Sequence, residues 1–373
     1  VIARRHLLAL AALAAGPGLA AQSPRLQFPR DFGAHTQTRL EWWYLTGVLF
    51  AEDQVPDPQA QPLFGYQLTF FRLKGPAAAE HPSALAARQL MIGHVALSDL
   101  RQGRLLHDQR LSRVLPGLAQ ASEADCSLQM RDWRLRREPG ESAALSRYQA
   151  FFQSQAFALD LQLQSQQPPL LQGDEGISRK GPGAAQFSHY YSQVQLLTQA
   201  KLRLDGREQR LRGLSWLDQE WSDQLLGPAD QAHDQAVGWD WAGLNLFDGS
   251  ALTVFRLRRA DGSVLWSGGS WRSPQGQTRN FAPHELQMEA LRHWRSPSSA
   301  ASYPVEWRLR TPVGEFRLDA LLDAQEVDAR LSTGMRYWEG AAALRAEASI
   351  KQAPALGLGY LEMTGYAGPM RLG

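Results

Sequence analysis

Cysteine is almost missing from this 373-residue chain: Cys126 stands alone, so no internal disulfide, Cys-rich zinc site or iron–sulfur cluster can be built. Among the nine histidines (6, 35, 81, 94, 107, 189, 233, 284 and 293) no two stand at ligand spacing on a helix or strand, and His-Glu-x-x-His is absent. No metal is expected. Gly-x-Ser-x-Gly is also missing; its nearest string, Gly213-Leu214-Ser215-Trp216-Leu217, lacks the last glycine and leaves a serine hydrolase unsupported. With neither a Gly-rich phosphate loop nor a dinucleotide fingerprint, no cofactor is expected. No apolar run approaches the ~20 residues of a membrane-spanning helix. No basic run or arginine stripe occurs, so nucleic acid is not an expected partner. The single lone thiol, Cys126, reads as an inert half-buried side chain.

What is present is 44% hydrophobic and 20% charged, too apolar for a disordered chain. Residues 1–21 carry the parts of a signal peptide: Arg4-Arg5-His6, an apolar run from Leu7 to Ala15, and small residues before Gln22. The arginine pair also suits a twin-arginine signal. Removing this leader turns 39 basic and 37 acidic residues into 37 of each. The expectation is a neutral, exported protein, periplasmic or secreted.

The body alternates in the two-residue period of strands. Phe157-Ala-Leu159-Asp-Leu161-Gln-Leu163-Gln is the cleanest case; Tyr66–Leu73, Leu90–Leu97, Leu128–Leu135, Leu252–Leu257 and Val305–Leu309 are weaker. Asp205-Gly206, Asp248-Gly249 and Asp261-Gly262 lie between such runs and suit tight hairpins. Helical spacing is confined to Ala77–Ala87 and Glu285–Trp294. Pro168–Gly183 reads as a loop. The fold expected is all-β, antiparallel, in domains spanning 22–228 and 229–373, with few short helices. Barrels of about eight strands can enclose one small apolar ligand.

Two carboxylate–tryptophan segments carry the chemistry. In Ser215-Trp216-Leu217-Asp218-Gln219-Glu220-Trp221 a strand puts Trp216, Asp218 and Glu220 on one face. Paired carboxyls beside an indole in a dry site would raise one another's pKa and keep one protonated as a Brønsted acid. On a solvated strand face they would do nothing of the kind. In Trp239-Asp240-Trp241 the indoles point one way and Asp240 the other, either to cap a barrel mouth or to pair with a buried arginine. His94, inside the apolar run Ile92–Ala96, is either a proton carrier or a satisfied core histidine.

Several strings together resemble one family, the AttH-like exported proteins related to carotenoid 1,2-hydratase. They are Glu41-Trp42-Trp43-Tyr44-Leu45-Thr46-Gly47, Phe70-Phe71-Arg72, His94–Asp99, Ser188-His189-Tyr190-Tyr191-Ser192, Gly213–Trp221, Gly238-Trp239-Asp240-Trp241 and Gly359–Tyr366. The resemblance runs from about residue 28 to 367. It implies two lipocalin-like β-barrels packed together, with a pocket at or near their interface. The candidate lining is Trp42, Trp43, Tyr44, Tyr190, Tyr191, Trp216, Trp221, Trp239 and Trp241. It also implies either a carrier of an apolar lipid- or isoprenoid-like ligand, associated with an ABC transporter, or an enzyme that adds water to an isoprenoid double bond. The hydratase string Gly-Tyr-x-Asp, followed by Asn or His, is matched here at Asp218, with Trp216 in place of the Tyr and Glu220 in place of the Asn or His. In the enzyme reading Asp218 is the acid, held protonated by Glu220 and the apolar site, while Asp240 or His94 activates water and the indoles stabilise a cation.

Overall fold

The computed structural model describes residues 25–75, 82–83, 86–227, 235–347 and 354–370. The leader at 1–21, the domain junction placed at 228/229 and most of the Ala77–Ala87 helix candidate lie outside them. Two antiparallel sheets make up nearly everything else, one a nearly closed barrel and the other a curled half-barrel. Strands β1 (Leu40–Ala51), β2 (Phe64–Lys74), β3 (Gln89–Asp99), β4 (Arg104–Arg113), β5 (Ala119–Ala121), β6 (Ser127–Met130) and β7 (Trp133–Pro139) open the first sheet. It continues with β8 (Ser146–Gln153), β9 (Phe157–Gln164), β10 (Leu170–Leu171), β11 (Ile177–Arg179), β12 (Phe187–Leu204) and β13 (Arg207–Ser222). The second sheet comprises β14 (Gly238–Leu246), β15 (Ala251–Arg258), β16 (Val264–Arg272), β17 (Thr278–Phe281), β18 (Gln287–Arg295), β19 (Ser302–Thr311), β20 (Gly314–Ala320), β21 (Glu326–Ala329), β22 (Met335–Ala346) and β23 (Gly357–Met363).

The first sheet runs β4-β3-β2-β1-β13-β12-β9-β8-β7-β6-β5. Arg110 on the edge strand β4 reaches the β6–β7 hairpin near the other end of the sheet, donating to the Met130 carbonyl at 3.1 Å and to Asp132 at 2.5 Å and lying over the Trp133 ring. The second sheet runs β17-β16-β15-β14-β23-β22-β20-β19-β18. All three Asp-Gly pairs sit in hairpin turns, with their glycines at φ +77°, +89° and +84°. Glu285–Trp294, expected as a helix, is instead a 3₁₀ turn (Pro283–Glu285) followed by β18. The register of β18 on β19 slips between Ala290 and Arg292 and again between Arg292 and His293. Those irregularities break the two-residue period by which a strand is read. Leu128–Leu135 is likewise two strands, split by a turn with Arg131 at φ +55°.

Burial explains the sequence patterns. Strand β9 alternates buried and exposed because one face meets solvent. Strand β1 is buried along almost its whole length, because each of its faces meets a different core. Trp43, Leu45 and Leu49 enter the barrel interior, whereas Tyr44, Val48 and Phe50 enter a second core shared with β14, β15, β22 and β23. Strand β13 changes from the first pattern to the second near Gly213. The two sheets thus meet face to face across a joint. At Gly243 they come so close that a Cβ would stand 2.9 Å from the Trp216 indole, which excludes any larger side chain there.

Inside the first barrel, Glu41 accepts from Arg72 Nε at 2.9 Å, from the His35 backbone N–H at 2.8 Å and from Gln219 Nε2 at 3.0 Å. Both partners of the Glu41–Arg72 pair are inaccessible to solvent. Arg72→Ala would strand a buried carboxylate and is expected to cost about 3–5 kcal/mol in urea unfolding followed by tryptophan fluorescence. Arg330→Ala, at an exposed pair with Asp328, should leave the midpoint in place. Equal midpoints for the two variants would refute this account.

Candidate functional site

The joint contains a cavity of about 60 Å³. From the first sheet it is lined by Tyr44 and Trp42 on β1, Gln67, Thr69 and Phe71 on β2, Tyr190 on β12, and Asp218 and Glu220 on β13. Trp239, Trp241, Phe255, Tyr337, Glu339 and Glu362 line it from the second, and Lys180 reaches in from the segment after β11. Strand alternation decides who is present: even residues of β1 and β13 face the joint, as do odd residues of β14 and β22.

Asp218 is the best-connected of these groups. Its Oδ1 accepts from Ser192 Oγ at 2.5 Å and from Trp216 Nε1 at 2.7 Å; its Oδ2 accepts from the Tyr190 hydroxyl at 2.9 Å. Behind them, Trp241 Nε1 donates to the Tyr190 hydroxyl at 3.0 Å and Gln172 Nε2 to Ser192 Oγ at 2.8 Å. Burial raises the Asp218 pKa to about 7 against the pull of those three hydrogen bonds, with Glu220 the smallest contributor. Glu220 is not the main cause, since its charge is matched by Lys180 at 2.9 Å. The ammonium of Lys180 also lies 4.2 Å from the Phe255 ring centroid and 4.9 Å from that of Tyr190.

The opposite wall holds two further carboxyls. Glu339 and Glu362 stand directly across from each other on β22 and β23. Glu339 is 2% exposed, and neither of its oxygens has a hydrogen-bond partner. The Tyr44 and Tyr337 hydroxyls stand beside it without reaching hydrogen-bond geometry. Burial, reinforced by Glu362, holds the Glu339 carboxyl well above the usual range. Burial likewise takes Glu362 to about 7, opposed by a hydrogen bond from Trp239.

Of the residues read from sequence, the structure brings Trp42, Tyr44, Tyr190, Asp218, Glu220, Trp239 and Trp241 to the cavity, with Trp216 directly behind Asp218. Others lie elsewhere. Trp43, Tyr191 and Trp221 enter the first barrel, where Trp221 stacks between His35 and His189 and Tyr191 donates to Gln219. Asp240 faces the second barrel's core, held by Arg256 Nε at 2.6 Å, Arg258 Nε at 3.0 Å and the Tyr366 hydroxyl at 2.9 Å. Of its two readings, the arginine pair is the one realised, and it cannot reach water in the cavity. His94 is one residue removed: its Nδ1 meets the Tyr337 hydroxyl at 2.9 Å and its Nε2 meets Ser332 Oγ at 2.8 Å. Burial holds its pKa down to about 3, so the ring is neutral. Lys180, Tyr337, Glu339 and Glu362 escaped the sequence reading. Glu362 carried a signal nonetheless, as the one charge in the apolar strand β23.

The AttH-like family profile matches residues 19–366. The chain belongs to the AttH-like family. A candidate AttH of Nitrosomonas europaea is 39% identical, with a TM-score of 0.79 over 92% of this chain and 98% of that one. Kievitone hydratase of Nectria haematococca shares the fold at 14% identity, with a TM-score of 0.65 over 92% and 94% of the two chains. CghA bound to Sch210972 does so at 11% identity, with a TM-score of 0.52 over 90% and 89%. Comparison with curated proteins gives no match. Among the described residues of this AttH-like chain, no helix is long and apolar enough to cross a membrane, and no three acidic, His or Cys side chains are arranged to hold a metal ion.

The raised Asp218 pKa has a stability consequence of definite sign. Between 3.8 and about 7 the folded chain holds a proton that the unfolded chain has released. Stability therefore falls as pH rises through that window, by at most about 1.4 kcal/mol per pH unit for this group. Asp218→Asn should make the decline between pH 4.5 and 7.5 shallower in urea titrations. Parallel curves for the variant and the parent would refute the burial argument.

Proposed function

We propose that the joint cavity is an active site for acid–base addition of water across a carbon–carbon double bond of a small apolar substrate. The observation that carries this reading is the presence of four carboxyls in one aromatic-walled cavity whose lining includes a single cation, Lys180. Carrying a lipid needs apolar walls, and each buried carboxyl works against that task by demanding either solvation or a proton. Hydration needs what the cavity has: carboxyls that exchange protons near neutral pH, and indole faces to stabilise a carbocation. For these reasons the enzyme reading is preferred to the carrier. The sharing of this fold with a protein named as a hydratase supports the same class. At about 60 Å³ the cavity has room for a few waters only. Substrate therefore enters by displacing the half-buried Trp42, Phe71 and Trp239 at its rim. The Arg4-Arg5 leader supports a further proposal, that this chemistry takes place outside the cytoplasm.

The test uses purified protein and a branched terpene alkene in ¹⁸O-water, with the tertiary alcohol read by mass spectrometry. Labelled alcohol is expected, and Asp218→Asn should lower its rate at least about 100-fold while quenching of the indoles by an apolar dye persists. Dye quenching without any label would favour the carrier instead. Neither label nor quenching would remove the pocket from the account.

A further inference from the structure

We infer that Glu339, a residue on the wall opposite Asp218, is the proton donor of this site and that Asp218 is its base. The inference rests on the hydratase reading above and reverses the role that sequence alone suggests for Asp218.

The direction of the hydrogen bonds decides it. An indole N–H can only donate. Trp216 therefore donates to Asp218 Oδ1, and Trp241 donates to the Tyr190 hydroxyl, leaving that hydroxyl to give its own hydrogen to Asp218 Oδ2. The Gln172 amide nitrogen acts in the same way on Ser192, whose hydroxyl then points its hydrogen at Asp218 Oδ1. All three chains end on Asp218 as acceptor. Such a carboxyl is drawn toward the carboxylate form, which it takes above about pH 7, and there it can accept a proton late in the reaction.

Glu339 is the opposite case. No donor reaches either oxygen, it is buried, and Glu362 stands directly across the strand pair. The groups facing it are Glu362 from β23, Tyr44 from β1, and Tyr337 and Tyr360 from the second sheet, with His94 behind Tyr337. None of these is a cation. Two carboxylates side by side without a counterion do not both ionise, and the one without hydrogen bonds keeps the proton. Two walls of one cavity therefore hold carboxyls in opposite states, the arrangement that anti addition of water requires.

The step balances within the chain. Glu339 gives its proton to one alkene carbon and becomes a carboxylate, and the other carbon becomes a cation. The oxygen of water bonds to that carbon while Asp218 takes the released proton, so alkene plus water gives alcohol. On product release Asp218 loses its proton to water and Glu339 takes one from water, which restores both.

Infrared difference spectroscopy of the full chain at pH 8 tests the assignment without a substrate. A protonated-carboxyl carbonyl band is expected, shifting in D₂O, lost in Glu339→Gln and kept in Asp218→Asn and Glu362→Gln. Should Glu339→Gln fail to fold, Tyr44→Phe and Tyr337→Phe must each shift the band, since both hydroxyls face Glu339. No band in the parent, a band that survives Glu339→Gln, or one lost with Asp218 or Glu362 would overturn the assignment while leaving the hydratase reading intact. Absence of ¹⁸O-labelled alcohol would sink that reading, and the donor role with it, whatever the spectrum shows.

Discussion

Burial on both faces of the strands at the joint is the constraint on which the rest of this molecule depends. An ordinary barrel strand spends every second residue on solvent, as β9 does. Strands β1, β14, β22 and β23, and β13 from Gly213 onward, have almost no such outlet, because one face fills a barrel and the other fills the joint. Any polar side chain placed on them is buried by default and must be paired, neutralised or used. The close approach at Gly243, and the Asn245 amide donating to the Ser215 carbonyl at 3.0 Å across the joint, hold the two faces in register. A cavity between sheets so held is shaped by backbone rather than by loops, which is the kind of support that acid–base geometry needs.

Much of the fold was legible because strands announce themselves by alternation and hairpins by Asp-Gly. The parity of Trp239-Asp240-Trp241 could be read directly, with the indoles on one side and Asp240 among Ala242, Leu244 and Leu246 on the other. Which side was the site could not be read, since both sides are buried and sequence does not say which core a face meets. That is why Trp43 and Tyr191, alternating with Tyr44 and Tyr190, looked equally eligible for the pocket. The bulged β18 escaped for a different reason: an irregular register imitates helical spacing over a short window.

The site was half legible. Asp218 and Glu220 drew notice because two carboxyls stand together beside tryptophans. Glu339 and Glu362 are 23 residues apart in sequence and become neighbours only through the pairing of β22 with β23. Lys180 lies in a Gly/Pro-rich stretch that reads as a loop, and nothing local ties it to Glu220. Contacts made by strand pairing across separate hairpins leave no mark on either segment alone.

The contrast between barrel interiors and joint is what gives the carboxyls their meaning. Glu41 and Asp240 are as buried as Asp218, but each is met by arginine: Arg72 for the first, Arg256 and Arg258 for the second, which also donates to the Thr364 carbonyl. Those pairs restrain packing, and each carboxylate is met by a guanidinium. In the joint the same residue types are left with hydroxyls, indoles and one lysine for four carboxyls. A chain that answers its buried acids with guanidinium groups in both barrels has the means to do so between them as well. Where it does not, the unmet proton demand is retained at a cost in stability, and a cost concentrated in one cavity is most simply explained by what that cavity does. The asymmetry within the cavity points the same way: three donors bond Asp218 while none reaches hydrogen-bond geometry with Glu339, so the two walls differ in proton affinity before any substrate arrives.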